Sequence, residues 1–324
     1  MSEIRRRAAA VALALTVFGS AGAATGQLSG FEPTLHENGY EEQPAALLPR
    51  PAPLWDWRDA TLQAQLEAAL RGLGLAPHIR SRILGVTLVD ITDPYWPRVA
   101  AVNGDRMYYA ASLPKIAVML AVFQQVEDGR LALNRSVRTQ LRRMIRRSSN
   151  PDATALMHIV GKPYIARVLA SPRYRLYDPR YNGGLWVGKD YAKASVWKRD
   201  PLAHLSHGAT AMQVARFFYL LERGELVSAG ASKEMKELLS QTDIDHKFVK
   251  GLRSIRPQAR IYRKSGTWEH HHADAALIER SDGAAYIAVA LMDDSHGAEW
   301  LPRIIVQLDS LIESNGAVPA RVRR

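Results

Sequence analysis

Ile261-Tyr-Arg-Lys-Ser-Gly-Thr-Trp-Glu-His-His-His272, Ala273-Asp-Ala-Ala-Leu-Ile278 and Ala284-Ala-Tyr-Ile-Ala-Val-Ala-Leu-Met292 run almost end to end in this 324-residue chain. Their β-branched and aromatic content predicts three consecutive strands joined by short turns, with Ser281-Asp282-Gly283 as a turn signal. Gly266 inside the first strand signals either a glycine bulge or the close approach of a second backbone or a ligand. An extended substrate could lie along that edge, with a backbone N–H near Thr267 aimed at a carbonyl oxygen. Lys264, at the head of Lys264-Ser265-Gly266-Thr267, offers positive charge to a carboxylate.

Two further strings lie upstream. Ser112-Leu-Pro-Lys115 immediately precedes the apolar run Ile116-Ala-Val-Met-Leu-Ala-Val-Phe123, which reads as a buried helix with Pro114 in its first turn. Residues three apart share a helix face, so the Lys115 amine is expected beside the Ser112 hydroxyl. A desolvated lysine can accept the proton that makes a serine nucleophilic, and a helix N-terminus favours the negative charge that develops there. Ser148-Ser149-Asn150 opens the helical stretch Pro151 to Val160. Locally it reads as a helix cap. It could equally supply a second hydroxyl to relay a proton and, in Asn150, an amide that both donates and accepts.

With these three strings in this order, the chain resembles the serine β-lactamases and penicillin-binding peptidases, most closely the class A β-lactamase type. The resemblance covers roughly Thr61 to Ser314. It implies a mixed α/β (α+β) fold: a five-stranded antiparallel sheet, with Ile83–Ile91 and Arg98–Val102 as the two remaining strands, flanked by helices and joined to an all-helical lobe. It implies a hydrolase that forms an acyl-enzyme with a β-lactam or related amide, without a cofactor; the alternatives are a D,D-peptidase-like amidase of peptidoglycan-derived peptides and a non-catalytic protein that binds penicillin or wall peptides. Ser112 then resembles the acylated nucleophile and Lys115 its proton acceptor. Ser148 and Asn150 resemble the relay and the substrate-amide contact, and Lys264 and Ser265 the carboxylate-recognising pair. On the same resemblance, the backbone N–H groups of Ser112 and Thr267 would form the oxyanion hole. The chain departs from the resemblance in two places. The glutamate that hydrolyses class A acyl-enzymes has no counterpart, since no Glu occurs between Glu127 and Glu222. Asp178 and Asp190 are the only acidic substitutes in the loop Tyr177–Tyr191, as water activators or as solvated carboxylates. Where the family often carries an arginine after the third string, His270-His-His-Ala-Asp274 stands instead.

Composition sets the remaining bounds. Hydrophobic residues make up 47% of the chain, enough for a substantial core. Arg5-Arg-Arg7, the apolar run Ala8 to Phe18 and Ala21-Gly-Ala23 resemble a secretory leader, so residues 1–23 are expected to direct export to a bacterial periplasm or exterior. Residues 24–60 read as an extended arm, 61–316 as the hydrolase domain and 317–324 as a basic tail. The absence of cysteine excludes disulfides, thiol nucleophiles and thiolate metal sites. The net charge of +11 owes much to Arg135, Arg138, Arg142, Arg143, Arg146 and Arg147, expected on the outer face of an amphipathic helix. That face is either simply solvated or in weak contact with an anionic wall or membrane surface. No aromatic-basic interleaving points to nucleic acid, and a monomer is expected. Successive strand residues alternate sides, so His270, His271 and His272 cannot all face one ion. They are expected as a polar rim at a strand end, with no metal.

Overall fold

The computed structural model describes residues 53–316; the expected leader, most of the arm and the basic tail lie outside them. The described end of the arm, Leu54–Asp56, is a short 3-10 turn. Trp55 packs on the Tyr181 ring at 3.9 Å, and Trp57 meets the edge of Trp96 at 5.4 Å.

Helix α1 (Ala60–Gly72) starts at Asp59, whose carboxylate accepts a hydrogen bond from the Leu62 N–H. Leu62, Leu66 and Leu70, four apart, form its buried stripe. The chain continues through α2 (Ala76–Arg80), β1 (Leu84–Asp90), β2 (Arg98–Val102) and β3 (Tyr108–Tyr109). A helical lobe follows: α3 (Lys115–Glu127), α4 (Arg135–Arg146), α5 (Asn150–Val160) and α6 (Lys162–Ala170). The next stretch holds short strands β4 (Tyr177–Asp178), β5 (Gly183–Gly184), β6 (Trp186–Val187) and β7 (His207–Ala209). Helices α7 (Ala211–Glu222), α8 (Ala229–Ser240) and α9 (Phe248–Ile255) lead back to β8 (Arg260–Trp268), β9 (His271–Glu279), β10 (Ala285–Asp293) and α10 (Gly297–Gly316).

The three C-terminal strands join the first two in one antiparallel sheet of order β2-β1-β10-β9-β8. This is the five-stranded mixed architecture expected, and it leaves β8, the strand of the third string, on an edge. Both faces of the sheet are covered, which explains the nearly continuous apolar run of β10. Ile287, Val289 and Leu291 pack into the core shared with α3 and α7. Tyr286, Ala288, Ala290 and Met292 alternate with them into a second core against α1, α9 and α10.

Helix α4 buries Val137, Leu141, Met144 and Ile145 and turns its arginines outward, as its pattern requires. Much of that charge is answered at once. Arg138 pairs with Glu234, Arg143 with Asp152 and Arg147 with Asp243. Half of the six arginines are thereby neutralised locally, which favours the solvated-face reading over attraction to an anionic surface.

Candidate active site

The turn before α3 carries Ser112 on strained backbone. Ala111 adopts a left-handed φ of 48°, uncommon for any residue with a side chain. Gly266 explains how strand β8 can press against this turn. A Cβ there would lie 2.2 Å from the Ala110 carbonyl oxygen and 2.9 Å from the backbone nitrogens of both Ser112 and Leu113. The close approach read from the glycine is therefore real, and the partner is the backbone that bears Ser112. The same packing brings the edge strand and the turn to one place.

Lys115 is the first residue of α3 and is completely buried. Its amine donates to the Ser148 carbonyl oxygen at 2.5 Å, to Asn150 Oδ1 at 2.7 Å and, more weakly, to Ser148 Oγ at 3.4 Å. Among the described residues none of its hydrogen bonds goes to Ser112. Ser112 lies in the turn that leads into the helix, and the hydrogen bonds of the amine run to the second string. Burial lowers the Lys115 amine to about 7, so near neutrality a large fraction of it carries no proton.

The second string both caps its helix and contacts Lys115. Ser149 caps α5 by accepting from the Asp152 N–H, while its two neighbours face Lys115. Ser148 also adopts a left-handed φ, 57°, which lets it turn against the helix start. From β8, the buried Lys264 amine donates to Ser148 Oγ at 2.9 Å. Ser148 Oγ thus bridges amines from the first and third strings. Burial, with the charge of Lys115 close by, pushes the Lys264 amine well below its usual value.

No motif announced Lys247. It precedes α9, has a left-handed φ of 54° and is buried, and its amine donates to the Gly266 carbonyl at 2.5 Å, Thr267 Oγ1 at 2.8 Å and the Ala273 carbonyl at 3.2 Å. Burial lowers it to about 8. Its position is set by a buried ion pair: Arg263 on β8 meets Asp274 on β9 through two hydrogen bonds of 2.7 and 2.8 Å, and the two side chains are 1% and 0% exposed. Arg263 also donates to the Ile244 carbonyl, and Asp274 accepts from the Phe248 N–H, so the pair holds the segment from both sides of Lys247. Asp274, at the end of the histidine run, was the only trace of this in the sequence. Left-handed residues cost on the order of 1–3 kcal/mol each and gather where surrounding structure imposes them. Ala111, Ser148 and Lys247 place one at each corner of this site.

Above these groups lies a cleft of about 560 Å³ lined by Ser112, Asn150, Asp190, Tyr191, Thr267 and Trp268, among others. The two loop carboxylates fare differently. Asp178 is buried and held by Arg175 and Arg180, whose hydrogen bonds keep it far below the usual carboxylate range; it does not line the cleft. Asp190 does line it, as the only carboxylate among the described lining residues. Burial acts to raise it, but hydrogen bonds from Lys162 at 2.5 Å and His158 at 2.9 Å outweigh this and hold it below its ordinary value. The Tyr191 ring centroid is 4.6 Å from the Lys115 nitrogen, and its buried hydroxyl has no hydrogen-bond partner. His207 stacks on Tyr191 at 4.3 Å, and burial lowers it to about 4, which keeps it neutral near pH 7. The His271 ring lies 5.0 Å from that of Tyr109, which lines the cleft.

Residues 66–141 and 134–308 match the model of the beta-lactamase enzyme family. No curated protein matches the chain in sequence. Among solved structures, it is similar to a beta-lactamase from Sphaerobacter thermophilus, with 19% identity and a TM-score of 0.60 over 79% of this chain and 98% of that one. A class A beta-lactamase from Bacteroides cellulosilyticus gives 15% identity and a TM-score of 0.61 over 80% and 100%. A variant of PBP-A, captured as an acyl-enzyme complex with penicillin G, gives 17% identity and a TM-score of 0.60 over 82% and 100%. At these identities the structures establish the shared fold.

Proposed function

Since the chain belongs to the beta-lactamase enzyme family, we propose that it is a serine hydrolase that opens a β-lactam or related amide by acylation of Ser112. The observation that carries this reading is the bridge Lys115–Ser148–Lys264, which ties the three strings together beside the cleft that Ser112 lines. In the proposed reaction the unprotonated Lys115 amine accepts the Ser112 proton as Oγ attacks the carbonyl carbon. Ser148 passes a proton to the departing nitrogen, and Asn150 holds the substrate amide. Lys264, Ser265 and Thr267 meet the substrate carboxylate, with Lys247 behind Thr267 adding charge. The N–H groups of Ser112 and Thr267 receive the developing oxyanion.

The same groups support acylation better than deacylation. Hydrolysis of the ester needs a base to activate water, and Asp190 is already engaged by the Lys162 amine and the His158 ring. The face of the Tyr191 ring lies over the Lys115 amine, 4.6 Å from the ring centroid. This favours a second reading, a penicillin-binding amidase of cell-wall peptides in which a β-lactam is bound covalently and released slowly. Export through residues 1–23 fits either reading and is part of the proposal.

Intact-mass spectrometry after mixing with benzylpenicillin tests the reading: a covalent adduct of the full penicillin mass should form and outlast the free drug. Absence of any adduct alongside intact penicillin would remove the hydrolase proposal, and hydrolysed penicillin without an accumulating adduct would favour rapid turnover instead. The acylation rate should fall about tenfold per pH unit below pH 7, because protonated Lys115 cannot accept the serine proton, and level off above it. A stopped-flow profile that is flat between pH 5 and 8, measured on the order of seconds, would deny Lys115 that role.

A further inference from the structure

The histidine run departs from simple alternation in one respect. His271 and His272, both on β9, point to opposite faces as a strand demands: His272 packs against Gly297, whereas His271 lies opposite Asp293 of β10. His270 belongs to the turn, not the strand, and the left-handed Glu269 (φ 49°) before it lets the chain reverse there. Its ring consequently comes round beside that of His271, centroids 4.2 Å apart.

Both rings present a nitrogen to one oxygen. His270 Nε2 and His271 Nδ1 each lie 3.1 Å from Asp293 Oδ1. Yet that oxygen is buried and has no hydrogen-bond partner, so neither approach has the geometry of an N–H aimed at an acceptor. The three ligand atoms lie within 4.8 Å of one another. Nitrogen and carboxylate donors of this kind bind zinc at about 2.0–2.2 Å, and a tetrahedral site then separates neighbouring ligand atoms by roughly 3.3 Å. The two histidine–carboxylate separations of 3.1 Å already lie close to that spacing.

We propose that His270, His271 and Asp293 form a binding site for a divalent, nitrogen-preferring cation such as Zn²⁺ at the β8–β9 turn. Two imidazoles and one carboxylate leave at least one coordination position for water. The cation would satisfy the orphaned Asp293 oxygen and fasten the turn to β10. That turn follows Trp268, and His271 abuts Tyr109, so bound metal would also stiffen one wall of the cleft. The site does not depend on the reaction assigned to Ser112.

Equilibrium dialysis of the untagged chain against Zn²⁺ alone, with metal measured by elemental analysis, tests this. One equivalent should bind saturably, and Zn²⁺ should raise the melting temperature. The paired replacement His270→Ala with His271→Ala, and separately Asp293→Asn, should each weaken binding at least about tenfold and abolish the thermal shift. His270 is 53% exposed, so its loss leaves the fold standing. His296→Ala serves as a control: His296 and His78 hydrogen-bond the adjacent Asp294, and binding should be unchanged. Absence of saturable binding, retention of it in the double variant, or its loss in His296→Ala would each overturn the proposal.

Discussion

Ser112→Ala should leave no covalent adduct after incubation with benzylpenicillin under conditions that label the wild-type chain completely. The substitution removes Oγ and little else, because the turn is held by Gly266 packing against its backbone rather than by the serine side chain. Reversible binding should survive, since Lys264, Lys247 and Thr267 stay in place. The informative rival is Ser148, whose hydroxyl contacts two buried amines and could itself be activated. Peptide mapping separates the two: an adduct persisting in Ser112→Ala and located on residue 148 would transfer the nucleophile assignment.

Asp274→Ala should destabilise the protein by about 3–5 kcal/mol, because it strands the Arg263 guanidinium, 1% exposed, without its counter-ion. For a domain of this size that corresponds to a fall in melting temperature of roughly 6–20 °C. The pair also frames Lys247, so acylation should slow in protein that remains folded, with no change in its pH midpoint. Combining Arg263→Met with Asp274→Leu should recover most of the stability, since apolar side chains of similar volume can replace a buried ion pair. It should not restore the acylation rate, because the contacts to Ile244 and Phe248 that set Lys247 are lost. An unchanged melting curve for Asp274→Ala would refute the role of the pair.

Much of the fold could be read before any coordinates. The Leu62, Leu66 and Leu70 stripe gave α1, and the apolar runs after Gly283 and Lys115 gave β10 and α3, all within a few residues. These elements follow local periodicity, which burial on one or both faces imposes directly on the sequence. The strings of the site were equally visible, but their pairing was not. That Lys115 would hydrogen-bond Ser148 and Asn150 was not legible, because the partners of a buried amine depend on which acceptors distant segments bring to it. Asp178 and Asp190 looked alike as loop carboxylates. Tertiary contacts gave one to Arg175 and Arg180 away from the cleft and the other to Lys162 and His158 within it.

By itself, the sequence determined the main strands and helices and the three reactive strings, since each is encoded in neighbouring residues; that Gly266 marks a close approach to the turn bearing Ser112 was decided by packing. Only the tertiary structure decided that Lys247 joins the site, that an ion pair between β8 and β9 holds it there, and that two histidines of a run of three meet Asp293. Those arrangements depend on sheet register and on turns with left-handed residues, which bring together groups far apart in the chain; no local pattern records which distant side chains will share a buried space.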